Sequence, residues 1–365
     1  MMNVTRRVML GSTAAAVATA TTFDPFNGNS AFAATAGLKV GTNSMIESSF
    51  RANPGAPGNF EALLLDGHKL MHYWRDNSTA GFPWHPTAAV SATATGPACL
   101  IQSSFKGTPA SPGNFEALVL EGNNLWHYWR DNSTAGFPWS KTVVVSTVAT
   151  GQATMIQSSF RSNPNSPGNF EALVPEGHNL VHYWRDNSTA GFPWHKTVVV
   201  SAASTGPACL IQSSFKGTPS SPGNFEALVL EGKNLWHYWR DNTTAGFPWH
   251  KTVVVSAVST GPASVIQSSF RGTPTSLGNF EALVLEGSNL SHYWRDSSTA
   301  GFPWHRSVVA DALARGPATL IEGGFRAIAG QPGNFEALTQ QAPYVWHYWR
   351  DNSTAGFPWA ATVPL

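Results

Sequence analysis

HYWRDNSTAGFPW, residues His72 to Trp84, returns unchanged from His127, His182 and His347. It returns twice more with one letter altered, from His237 with Thr243 and from His292 with Ser297. A catalytic centre gathers one set of groups around one substrate, whereas this chain writes out a whole surface six times. Six equivalent copies also give no single carboxylate a reason to acquire the specially shifted pKa that acid–base catalysis needs.

Working outward from this phrase, the Phe of GNFEAL falls at 60, 115, 170, 225, 280 and 335, a constant step of 55 without insertion or deletion. Such a period marks a repeat architecture in which each unit stacks on its neighbours. In the second unit four runs of β-branched and aromatic residues stand between Pro, Gly, Asn and Ser clusters. They are ACLIQSSF up to Phe105, GNFEALVLEG from Gly113 to Gly122, NLWHYWRDN from Asn124, and WSKTVVVS ending at Ser146. LEGNNL, between the second and third runs, has the length and composition of a hairpin turn. Four short antiparallel strands in about 55 residues match one propeller blade. The reading is therefore an all-β, six-bladed β-propeller, a single domain over residues 37–365. Each blade is complete within its own repeat, and GLKV from Gly37 is a candidate for one further short strand at the closure.

A second period overlies the first. The residue before HYWR is Met71, Trp126, Val181, Trp236, Ser291 and Trp346, with Trp in even repeats only. A pair of blades was the unit copied last, so sixfold symmetry of frame goes with approximate threefold symmetry of detail.

The totals narrow the function classes. Lys plus Arg number 22 against 21 Asp plus Glu, which argues against nucleic acid as a partner. The first 36 residues differ from the rest: Arg6 and Arg7 precede a short Ala- and Thr-rich stretch, and SAFAATA offers small residues for cleavage. This resembles a twin-arginine export signal, so an exported, secreted or periplasmic protein is expected. That stretch is too short and too polar for a membrane span, and no other segment qualifies. The two cysteines, Cys99 and Cys209, hold equivalent positions in non-adjacent repeats, too far apart for a disulfide, and are expected to be free buried thiols. No segment specifies an oligomeric state.

The motifs GNFEALVLEG, HYWRDNS and ATGPACLIQSSF resemble the repeats of bacterial PLL-like β-propeller lectins over about residues 38 to 365. The resemblance implies a propeller with sugar sites between neighbouring blades and, in the best-known members, recognition of fucose and its methylated forms. Those members have seven blades, and the six repeats here imply a change in the ring diameter and in the width of each inter-blade site.

Glu61, Glu116, Glu171, Glu226, Glu281 and Glu336 each interrupt an apolar strand. A buried carboxylate is costly without a partner, so ion pairs with the His or Arg of HYWR are expected to join strands or blades. The loop DNSTAGFPW carries two readings. In one, its polar residues fix the turn and its aromatics pack inward. In the other, Trp84, Trp139, Trp194, Trp249, Trp304 and Trp359 stay partly exposed and stack on a sugar. Arg75, Arg130, Arg185, Arg240, Arg295 and Arg350 would then bond its hydroxyls. Trp126, Trp236 and Trp346 are either inter-blade core or a second aromatic wall at alternate sites. AGFPW resembles only the tail of a sialidase Asp box, with Asp76 five residues before Gly81. DNST lacks the oxygen spacing of a calcium loop, the 12 His make no zinc spacing, and no nucleophilic triad is recognisable, so neither metal nor cofactor is expected. A multivalent binder of glycans is the first reading, a protein-interaction scaffold the second, and a glycosidase-type enzyme the third.

Overall fold

The computed structural model describes residues 38–365. The expected export signal therefore lies outside the described residues. Six four-stranded antiparallel sheets follow one another along the chain, each with its strands in sequence order. In blade one these are β1 (Met45–Glu47), β2 (Phe60–Asp66), β3 (Lys69–Arg75) and β4 (Trp84–Ser91). Successive first strands pack against each other around the ring, the sixth against the first, so they line the axis and the fourth strands lie outermost. The chain is an all-β, six-bladed propeller.

Strand limits follow the sequence reading closely, with one difference. The inner strand of blade two stops at Gln102 instead of running to Phe105. Ser103 N donates to Asn114 O at 2.8 Å while Asn114 N donates to Phe105 O at 2.7 Å, so the strand bulges there. A Cβ on Gly113 would stand 1.8 Å from Ser103 O, which is why each repeat has Gly at this place. The bulge aims Phe105 at the next blade, where it meets Phe170 and Phe192 edge-on at 5.9 and 5.6 Å. The hairpin between second and third strands has a two-residue turn whose first residue, Gly122 in blade two, takes φ 63°, as such turns require.

Period-2 alternation gives every sheet two buried faces, and the hydrophobic core divides into six clusters, one per interface. Between blades one and two, Leu63, Leu65 and Leu70 meet Leu100, Phe115, Ala117 and Val119. Across the inner rim a side-chain clamp joins each pair of blades. Gln102 Oε1 accepts the amide of Ser49 at 2.7 Å, and its Nε2 donates to Ser49 Oγ at 2.9 Å. Gln157 and Gln212 repeat both bonds with Ser104 and Ser159.

Ring closure uses no strand shared between the two ends. Blade six is completed by its own strand Trp359–Pro364. Of the segment GLKV, the described residues Leu38 to Val40 make a single bridge, Lys39 to Leu65, in place of the expected short strand, and the chain then turns into the axis. There Asn43 O accepts Leu100 N at 2.9 Å, and its Nδ2 donates to Thr154 Oγ1 at 3.2 Å. Cys209 Sγ donates to Asn43 Oδ1 at 2.8 Å. One residue thus touches the inner strands of blades two, three and four, because a Gly–Thr–Asn turn is small enough to enter the channel. Both cysteines are free and buried, and burial pushes their thiols up to about 12 for Cys99 and about 11 for Cys209.

Candidate functional site at the blade interfaces

The repeated phrase supplies both walls of every interface. Along the third strand, His72 and Trp74 face the next blade, while Tyr73 and Arg75 face the preceding one, as alternation dictates. The glutamates pair first. Glu61 Oε2 lies 2.9 Å from His72 Nε2, and its Oε1 accepts Ser48 Oγ at 3.0 Å. The arrangement recurs for Glu116–His127, Glu171–His182 and Glu226–His237 at 2.9 Å, and for Glu281–His292 at 3.0 Å. In blade six Gly323 replaces the serine, and Glu336 lies 2.9 Å from His347 without hydrogen-bonding geometry. Burial lowers the pKa of His72, His127, His182, His292 and His347, against the pull of each glutamate. A neutral imidazole that donates from Nε2 to the carboxylate leaves Nδ1, on the side toward the next blade, as an acceptor whose nearest partner is a hydroxyl of its own fourth strand, Thr87 at 2.8 Å in blade one and Ser307 at 2.6 Å in blade five.

The arginine of that next blade faces it. Arg130 Nη1 is 3.5 Å from His72 Nδ1, Arg185 is 3.5 Å from His127, Arg295 is 3.1 Å from His237, and Arg75 closes the circle to His347 at 3.3 Å. These arginines were candidates for bonding a sugar, and the structure buries them instead: Arg75, Arg130, Arg185, Arg240, Arg295 and Arg350 are 4 to 7 % exposed. Each guanidinium lies over the Phe of its own GNFEAL, at 4.1 Å for Arg240 and 4.8 Å for Arg295. Nε of Arg130 donates to Asn132 Oδ1 at 2.7 Å, and Asn132 Nδ2 donates to Gly113 O. Burial pushes Arg130 down to about 10, with the Glu61 charge opposing, so it stays cationic at neutral pH. Blade five has Ser297 where the others have Asn, and there Arg295 Nε is buried with no partner.

Around this network the loop is a built turn. Asp76 accepts the Ser78 amide at 2.8 Å and its hydroxyl at 2.6 Å, which draws the carboxyl below its usual range. Phe82, Phe137, Phe192, Phe247, Phe302 and Phe357 all take φ between 46 and 48°, an uncommon conformation for a bulky side chain, and remain about two-fifths exposed. Trp84, Trp139, Trp194, Trp249, Trp304 and Trp359 are half-buried and pack on the interface clusters. Each stands near the His of the preceding blade, from 5.9 Å for Trp304 and His237 to 6.3 Å for Trp84 and His347. In five of them, all but Trp84, Nε1 is buried without a partner, so these indoles offer a ligand a ring face and no donor.

A second group at the rim was not singled out in the sequence. Trp184 stacks on His195 and Trp239 on His250 at 4.7 Å, and Trp74 and His85, like Trp294 and His305, lie 4.8 Å apart at a slightly larger tilt of 33° and 31°. Cross-strand register places each pair side by side on the face that carries His72 or its equivalent, opposite the half-buried Trp of the next blade. Trp129 and Trp349 have Ser140 and Ala360 as cross-strand neighbours and lack the partner ring. The signal was present: GFPW is followed by His in four repeats, and alternation sets that His opposite the Trp of HYW.

Trp126, Trp236 and Trp346 are half-buried on the clusters between blades one and two, three and four, and five and six, so the threefold period is a real feature of the ring. A cavity of about 860 Å³ lies elsewhere, at the inner rim among blades five, six and one, lined by Glu47, Gln267, Arg271, Glu322 and Arg326. It opens where Gly323 and Gly324 replace the paired serines of the other repeats. Among the described residues no cluster of His, Cys, Asp and Glu is arranged to hold a metal ion, and no helix is long and apolar enough to cross a membrane.

No protein-family model matches the chain, and no curated protein matches it in sequence. Solved structures do match. A mutant of the Aleuria aurantia lectin in complex with α-methyl-L-fucoside superposes with a TM-score of 0.58 at 13% identity, covering 91% of this chain and 95% of that one. A mercury derivative of the fucose-specific lectin from Aleuria aurantia gives 0.58 at 12% identity, over 90% and 95%. A third structure of that lectin, described as a six-bladed β-propeller with a novel fucose recognition mode, gives 0.57 at 13% identity, over 91% and 96%. At such identities the likeness is one of fold.

Proposed function

We propose that this protein is an exported, multivalent carbohydrate-binding protein whose sites lie at the outer rim of the blade interfaces. The observation that carries the reading is the stacked Trp–His pair opposite a half-buried Trp, built at four of the six interfaces. Flat aromatic faces suit the C–H face of a sugar, and the exposed Ser and Thr of the adjoining loop offer hydroxyls for its polar edge. The buried Glu–His–Arg network fixes the two walls against each other, so the rim is held rigid before any ligand arrives. Four weak sites on one frame gain avidity for a glycan-coated surface without any new contact. The fold shared with fucose-specific lectins makes fucose the first sugar to try.

A protein-interaction scaffold is the second reading, favoured by exposed valines on the outer strands, among them Val198, Val199, Val253 and Val254. A broad glycan array separates the two. Binding to one terminal sugar, competed by the free monosaccharide, is the expected result; a folded protein silent across the array would transfer the reading to the scaffold.

A further inference from the structure

The chain itself crosses five of the six interfaces as it passes from one blade to the next. Between blades one and two that crossing places Val90, Ala94 and Ala98 in the core. Blades six and one hold the two ends of the ring, so no connection runs between them. There Leu38 and Val40 take that place, packed with Met45, Ala62 and Leu64 of blade one and with Leu338 and Val345 of blade six. Lys39 fastens the segment to blade one: its amide donates to Leu65 O at 2.8 Å, and its carbonyl accepts Leu65 N at 3.0 Å. Ser44 O accepts Leu63 N at 2.9 Å.

The tip of this segment departs from the repeat, and so does the wall that receives it. Counted in steps of 55, Asn43 stands where the other repeats have Ala98, Ala153, Ala208, Ala263 and Ala318, each at most 1 % exposed. Its φ of 56° is a left-handed conformation that Asn takes more readily than Ala. From there the side chain reaches Thr154 of blade three and Cys209 and Leu210 of blade four. On the receiving wall Gln152 replaces the Pro of the four equivalent connections, Pro97, Pro207, Pro262 and Pro317. Gln152 Nε2 donates to Thr42 O at 2.6 Å. Gly41 leaves room for that amide, since a Cβ there would stand 2.3 Å from Gln152 Oε1. Two departures from an otherwise regular repeat thus meet at the axis. A Pro at 152 has no side-chain donor, and an Ala at 43 has no amide to offer the far blades.

We propose that the axial channel is a peptide-binding site whose resident ligand is the segment Leu38–Ser44, and that its occupancy clasps blade six to blade one. The site holds an extended chain by main-chain bonds to Leu65, seats two apolar side chains between the end blades, and reads one Asn at the tip. All four strands of blade one lie outside the segment. The same sequence supplied as a free peptide therefore enters the channel once the resident copy is weakened. The site lies on the axis, apart from the rim platforms, and does not rest on the glycan-binding reading.

The test uses the full chain and the heptapeptide LKVGTNS, labelled with a fluorophore on the amine of its lysine, since Lys39 is exposed in the protein. In the wild type the tethered segment competes at an effective concentration of about 1 mM, so no uptake of the peptide is expected. Asn43→Ala, which restores the residue of the other repeats, should bind one peptide per chain by fluorescence anisotropy and melt at a higher temperature when the peptide is present. A peptide with Ala in place of its Asn should bind about tenfold more weakly. Gln152→Pro changes the receiving wall alone and should lower the melting temperature. A folded Asn43→Ala protein that takes up no peptide would overturn the proposal. So would equal binding of the two peptides, or a Gln152→Pro protein that melts with the wild type; this last result decides the matter if Asn43→Ala does not fold. Neither variant touches a Trp–His platform, so the glycan-array profile separates failure of this site from failure of the lectin reading.

Discussion

The inner and outer parts of each blade interface are both built around the same thirteen-residue phrase and behave differently. Inside, Glu, His and Arg recur at all six interfaces, because each charge is tolerable only while the other two groups stand in place. Outside, the residue beside the HYW tryptophan changes from His85 to Ser140, His195, His250, His305 and Ala360. The buried network admits almost no variation and carries stability, whereas the rim varies from blade to blade and is where recognition can differ.

The largest effect is expected from breaking the inner part. Arg130→Met leaves Glu61 buried without its cation and should cost about 3–5 kcal/mol in urea denaturation. Arg295→Met should cost measurably less, because Arg295 already lacks the Asn partner that Arg130 has. Equal losses would mean that the Asn bond contributes nothing.

Acid tests the same network as a whole. Five of the buried histidines have pKa values lowered by burial, so the folded state holds them neutral while the unfolded chain takes up protons below about 6.5. The unfolded state therefore binds more protons, and stability present above about pH 6.5 is lost as the pH falls toward 5. The melting temperature should be level from pH 8 to 7 and drop steeply below 6.5; a rise on acidification would show that the imidazoles are protonated in the fold.

Repairing the one irregular copy should give a smaller, opposite change. Ser297→Asn restores the acceptor for Arg295 Nε and should stabilise by about 1 kcal/mol, read from the same denaturation curves. At the rim, His195→Ala should change stability by no more than about 0.5 kcal/mol while weakening glycan binding. Loss of stability without loss of binding would make the stacked pair part of the core.

The frame was legible because a rigid 55-residue step, alternation and turn residues all pointed to one blade. What the letters did not show was depth. Arg130 and Trp139 are cross-strand neighbours, yet the arginine is buried and the indole half-exposed, a difference set by how the preceding sheet packs. Pairing also depends on contacts between repeats: Glu61 meets His72 within its blade and Arg130 only through the ring. The entry of Asn43 into the axis was equally hidden, since four of its partners, Leu100, Thr154, Cys209 and Leu210, lie between 57 and 167 residues away in sequence. The Trp–His platform, by contrast, was readable from register alone, once Arg75 is seen opposite Trp84.

The most direct test of the account is to count bound monosaccharides per chain by native mass spectrometry, using the sugar that the array identifies. The wild type should saturate at four, matching the four Trp–His platforms, and Ser140→His, which completes a fifth, should saturate at five. Six in the wild type, or a count that Ser140→His leaves unchanged, would contradict the claim that the rim pair makes the site.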